Sequence, residues 1–121
     1  MRKIFKAAIV LAMLLGIFAV AASAQTEPMA GGYSSISVKS KEAKNAAAVA
    51  VRSRSAKTGK TITLVKINKA EQQVVAGMNY RVCMTVREGR GKAYTVTAVV
   101  YLNLKQKRSL TDWKKGGCSE L

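Results

Sequence analysis

The sequence predicts an α+β domain, one α-helix wrapped by an antiparallel sheet of four to five strands. Three observations carry this reading. One stretch, Lys39 to Ser55, has helical periodicity, and it precedes the strand-like segments. Those segments, rich in Val, Thr and Tyr, then follow one another. The connections between them are short, and short connections demand an antiparallel meander. A sheet with one apolar face needs a cover, and the helix is the cover available.

The chain begins with a segment to be set apart from the fold. "MRKIFK" is a basic stretch, "AAIVLAMLLGIFAVA" is apolar, and Ala22-Ser23-Ala24 fits a small-residue cleavage site. Residues 1–24 therefore read as a secretory signal peptide cut near Ala24, with a single domain over 25–121, secreted or periplasmic. The alternative is an uncleaved membrane anchor, since the apolar run is about long enough to span a bilayer. Cleavage removes Arg2, Lys3 and Lys6 and leaves 97 residues with 18 basic and 6 acidic side chains, net +12. A domain of that size folds but is marginal. Export implies an oxidising compartment. Cys83 and Cys118 then have one possible pairing, and a loop of about 35 residues closed by that bond contributes about 3–4 kcal/mol. The alternative, a reactive thiol, lacks any His to activate it.

Taken in order, Gln25 to Ser37 reads as irregular, with Pro28 and the Gly31-Gly32 pair. In the helix, Ala43, Ala46, Ala47 and Ala50 form a small apolar face, with Val49 and Val51 beside it. Ser40 suits the N-cap and Glu42 the first turn. "KTGK" at 57–60 breaks the helix. In "TITLVKIN", Ile62 and Leu64 share a face, and the phase slips at Val65-Lys66-Ile67, as at a β-bulge. "MNYRVCMTV" alternates, with Tyr80, Val82, Met84 and Val86 on one face and Arg81, Cys83 and Thr85 on the other. "REGRGK" is a turn, "AYTVTAVVYLNL" a long strand, "KQKR" a second basic turn, and "SLTDWKKGG" a short last strand. Gln73-Val74-Val75-Ala76-Gly77 falls at or near a hairpin bend, the alternative being a buried strand segment.

Several chemistries are excluded. The absence of His removes His-based acid–base and metal chemistry. Glu27, Glu42, Glu71, Glu88, Asp112 and Glu120 are scattered, with no paired spacing. The glycines form no phosphate loop. No enzyme and no cofactor are expected.

"QVVAG" at 73–77 resembles the QxVxG hairpin loop of the cystatins, inhibitors of papain-like cysteine proteases. Gly31-Gly32 in "GGYSSI" resembles the family's N-terminal glycine pair, and "AAAVAV" (Ala46–Val51) is similar, in degraded form, to the helix segment of plant members, where an aromatic residue would replace Val49. Spacing follows the plant pattern through Leu110 and Trp113. One departure concerns the second hairpin loop, where the family usually carries Pro-Trp. Asn103-Leu104 stand there, and Trp113 instead matches a structural aromatic of the last strand. The cysteine pair also departs from the two bridges of animal secreted members.

The resemblance implies a wedge that fills a papain-like protease cleft without being cut. Pro28-Met29-Ala30 would lie substrate-like, and Gly31 and Gly32 would turn the chain away from the catalytic thiol. Gln73, Val74, Val75, Ala76 and Gly77 would pack beside that thiol, and Asn103, Leu104 and Lys105 would form the third edge. Two other readings stay open. One is a non-inhibitory module of this fold whose charge, at Lys39, Lys41, Lys44, Arg52, Arg54, Lys57, Lys60, Lys105, Lys107 and Arg108, binds anionic polymers or surfaces. The other is a structural or adhesive envelope protein. The expected state is a monomer, with a domain-swapped dimer at high concentration if Val75 sits in a strained turn.

Overall fold

The computed structural model describes residues 32–118. Residues 1–24, read above as a signal peptide, the Pro28–Ala30 segment and Gly31 lie outside the described residues. Five strands and one helix follow in the order β1 (Tyr33–Ile36), α1 (Lys41–Thr58), β2 (Ile62–Val75), β3 (Gly77–Glu88), β4 (Ala93–Leu102) and β5 (Arg108–Lys115). The strands form one antiparallel sheet in sequential order, β1 to β5. The helix packs on one of its faces.

The helix forms where alanine dominates, because alanine loses no side-chain entropy on becoming helical. Ser40 caps it, its hydroxyl accepting from the Ala43 N–H at 3.1 Å, and Glu42 sits in the first turn. It runs three residues past Ser55, to Thr58. Gly59 stops it with φ 77°, and its N–H donates to the Ser55 carbonyl. A left-handed C-terminal residue of this kind is the usual place for glycine.

Ala43, Ala46, Ala47 and Ala50 are all buried against the sheet. With methyl groups at the centre of the contact and Val49 and Val51 packed beside them, little side-chain bulk holds helix and sheet apart. The sheet answers with Tyr80, Val82, Met84 and Val86 from β3, and Val96, Ala98, Val100 and Leu102 from β4. Trp113 and Leu110 of β5 pack at the margin of this core, so Trp113 is structural. Replacing Ala47 by leucine overfills this interface and is expected to cost about 1–3 kcal/mol. Urea unfolding measures it, and an unchanged midpoint would show that the helix can back away.

Two features differ from expectation. The segment before the helix is not wholly irregular: Tyr33–Ile36 is a strand, paired with β2 from Tyr33↔Gln73 to Ile36↔Ala70. It is held by partners distant in sequence rather than by its own composition. The β4 strand stops at Leu102 instead of continuing to Leu104. The expected irregularity in β2 is present twice. Val65 and Asn68 are each skipped in the pairing with β3, and such bulges bend and twist a strand.

Cys83 lies on the face away from the helix and is fully buried. It is bonded to Cys118, with Cα atoms 5.6 Å apart. The tail after β5 therefore folds back across the outer face, held also by the Gly116 N–H donating to the Thr95 carbonyl.

Candidate functional site

The register of the sheet brings three separate segments to one end. The first is the β2–β3 turn. Val75 pairs with Gly77, leaving Ala76 alone at the tip. Gln73 and Asn79 face each other across the hairpin, the Asn79 amide donating to Gln73 Oε1 at 2.7 Å. Gly77 has φ 106°. A Cβ built there would sit 2.4 Å from the Leu102 carbonyl oxygen and 3.0 Å from the Tyr101 hydroxyl. Glycine is thus required twice, by backbone conformation and by the closeness of the next strand. Among the described residues the positive φ of a non-glycine falls on Gln106. Val75 is therefore outside the left-handed region, so the condition set for a strained turn at Val75 is not met by its backbone, and Gly77 takes the unusual conformation.

The second segment is the β4–β5 turn, Asn103 to Lys107. Met78 pairs with Leu102, which places this turn beside the first. Asn103 builds the turn rather than projecting from it. Its side-chain oxygen accepts from the Lys105 N–H at 2.8 Å and the Lys107 N–H at 2.9 Å. That local bonding draws the chain out of the β4 ladder after Leu102. Leu104, at the tip, is 74% exposed.

The third segment is the start of β1. Tyr33 pairs with Gln73, so the exposed Gly32 enters beside the first hairpin. Behind it, on the outer face, the Arg81 guanidinium stacks on the Tyr33 ring at 3.9 Å. Arg81 also pairs with the buried Glu71 carboxylate at 2.8 Å. Burial pushes the Tyr33 phenol above its ordinary pKa, against the opposing pull of Arg81. This cluster pins β1 to β2 and β3 and so sets where the N-terminal segment leaves the sheet.

Val74 and Val75 are 59% and 40% exposed. They are not core, although they lie on a strand. Val74 alternates with Ala70 towards the helix side, but it lies beyond the buried part of that face. Of the site residues expected from sequence, Gly32, Gln73, Val74, Val75, Ala76, Gly77, Asn103 and Leu104 fall at this one end. Gly31 lies outside the described residues. Tyr101 was not anticipated. Its hydroxyl donates to the Ala76 carbonyl and ties the first turn to β4. Its place in the alternation of "TAVVYL", on the face opposite Val100 and Leu102, is the signal that could have found it.

The architecture is a single helix in a five-stranded antiparallel wrap that presents two hairpin turns and an N-terminal segment together. The chain belongs to the cystatin family. The Cystatin domain model matches residues 31–115. The fold is also that of the salivary cystatin of the soft tick Ornithodoros moubata. That structure is 21% identical, with a TM-score of 0.60 over 73% of this chain and 99% of its own. No curated protein sequence matches this one.

Proposed function

We propose that the protein is a secreted, reversible inhibitor of papain-like cysteine proteases. The observation that carries this is the convergence at one end of Gly32, the Gln73–Gly77 hairpin and the Asn103–Lys107 turn, with Val74, Val75 and Leu104 exposed there. Three apolar side chains in water at one rim are a surface waiting to be covered.

The geometry accounts for resistance to cleavage. A protease cuts a segment that can lie extended in its cleft. The hairpin cannot extend, because Val75 and Gly77 are already paired and the Ala76 carbonyl is held by Tyr101. The tip enters beside the nucleophile as a rigid edge, and rigidity lowers the entropy lost on docking. Gly31 and Gly32 would turn the N-terminal segment away from the thiol. Leu104, rather than Asn103, would supply the contact of the second turn, since Asn103 is occupied within it.

Papain activity in the presence of the protein tests this. Micromolar protein is expected to abolish activity, and Val74→Asp to weaken inhibition tenfold or more, about 1.4 kcal/mol. Full papain activity at micromolar protein would end the proposal.

Export through residues 1–24 accompanies this reading and is supported by the Cys83–Cys118 bond, which persists in oxidising compartments. The intact mass of the exported protein is expected to correspond to a chain starting at Gln25. A mass that includes residues 1–24 would show that the segment is retained.

A further inference from the structure

A groove of about 510 Å³ lies between the C-terminal half of α1 and β5, apart from the hairpin tip. Ser53, Arg54 and Lys57 line it from the helix, and Arg108, Ser109 and Thr111 from the strand. Trp113 lines its inner part, with the Arg54 guanidinium 5.4 Å from the centre of the indole. Asp112 also borders the groove, yet none of its three cations is paired with a carboxylate among the described residues. Arg54 carries a further oddity: its Nε is buried and has no hydrogen-bond acceptor. A buried guanidinium donor left without a partner needs a reason.

Three cations held around one concavity repel one another, and no ion pair among the described residues offsets that repulsion. An oxyanion would relieve that repulsion. Arginine's planar fork suits two oxygens of a sulfate or phosphate, and lysine adds a point charge. Ser53 and Ser109 offer hydroxyl donors, whereas the Thr111 hydroxyl is committed to the Val99 carbonyl at 3.2 Å. The volume exceeds what a bare ion needs and falls in the range of small-molecule sites.

The kind of molecule bearing the anion can be narrowed. Single-stranded nucleic acid would need a bare aromatic face for stacking, but the Trp113 ring packs against the core and carries Arg54. A membrane surface would need apolar side chains projecting into water beside the cations. Leu110 and Trp113 line the groove but both pack against the core, and the exposed large ones, Val65, Val74, Val75 and Leu104, are not in it. A sugar carrying a charged ester meets both limits, because its hydroxyls can use the polar walls. We propose that the α1–β5 groove binds a saccharide bearing sulfate or phosphate esters, through Arg54, Lys57 and Arg108.

Trp113 is the one tryptophan in the sequence, so its fluorescence reports on the groove directly. The probes are a heparin-derived tetrasaccharide, its desulfated counterpart, a single-stranded oligonucleotide and anionic phospholipid vesicles. The sulfated tetrasaccharide is expected to shift Trp113 emission, and the desulfated one to leave it unchanged. Lys57→Gln with Arg108→Gln should weaken binding tenfold or more; both positions are exposed, so folding is spared. Lys44→Gln with Arg52→Gln removes equal charge from exposed positions outside the groove and should weaken it less than threefold. Equal losses from the two pairs would reduce the effect to diffuse charge. No change in Trp113, or tighter binding of the oligonucleotide or the vesicles, would overturn the assignment.

Discussion

A Gly77→Val chain is expected to lose roughly 2–5 kcal/mol of stability, and with it most inhibition of papain. Two costs add at this residue. The backbone has φ 106°, where a β-branched side chain is strained. The new Cβ would also lie 2.4 Å from the Leu102 carbonyl, which is backbone and cannot swing aside. The hairpin must open or β4 must move, and either change breaks the link from Tyr101 to Ala76. Urea unfolding and a papain titration on the same preparation read both effects. A stability within about 0.5 kcal/mol of the parent would show that the tip is not pressed against β4.

Reduction of the Cys83–Cys118 bond is expected to cost about 3–4 kcal/mol, since it closes a loop of 35 residues. For a domain of this size that lowers Tm by roughly 12–30 °C. The tail would also leave the outer face of the sheet, uncovering Cys83, which is now fully buried. Calorimetry with and without reductant, alongside Cys118→Ser, checks this. A Tm change below roughly 4 °C would mean that the tail stays docked through contacts such as that from Gly116 to Thr95.

What could be read in advance followed from local chemistry. The alanine face of the helix, the alternation from Tyr80 to Val86 and the break at Gly77 each express a period or a backbone demand within a few residues. The cysteine pairing followed from there being two cysteines. What escaped depended on distant partners. "YSSI" has two serines and little apolar character, and it becomes β1 because β2 offers an edge and Arg81 receives Tyr33. Asn103 looks like any loop residue until its side chain is seen holding Lys105 and Lys107. The helix outlasted Ser55 because it is Gly59, within the "KTGK" breaker, that terminates it.

The two bulges of β2 have a consequence for how the chain tolerates insertion and deletion. Val65 and Asn68 are the residues that β3 does not match, while Leu64, Lys66, Ile67 and Lys69 keep successive partners across them. Removing either would flatten the strand but leave every later pair in place, so Gln73 would still meet Asn79. Losing one residue between Lys69 and Val75 is a different event. It would turn each following side chain to the opposite face, exchanging the settings of Val74 and Val75. Length in this strand is free at its first half and fixed at the half that carries the hairpin.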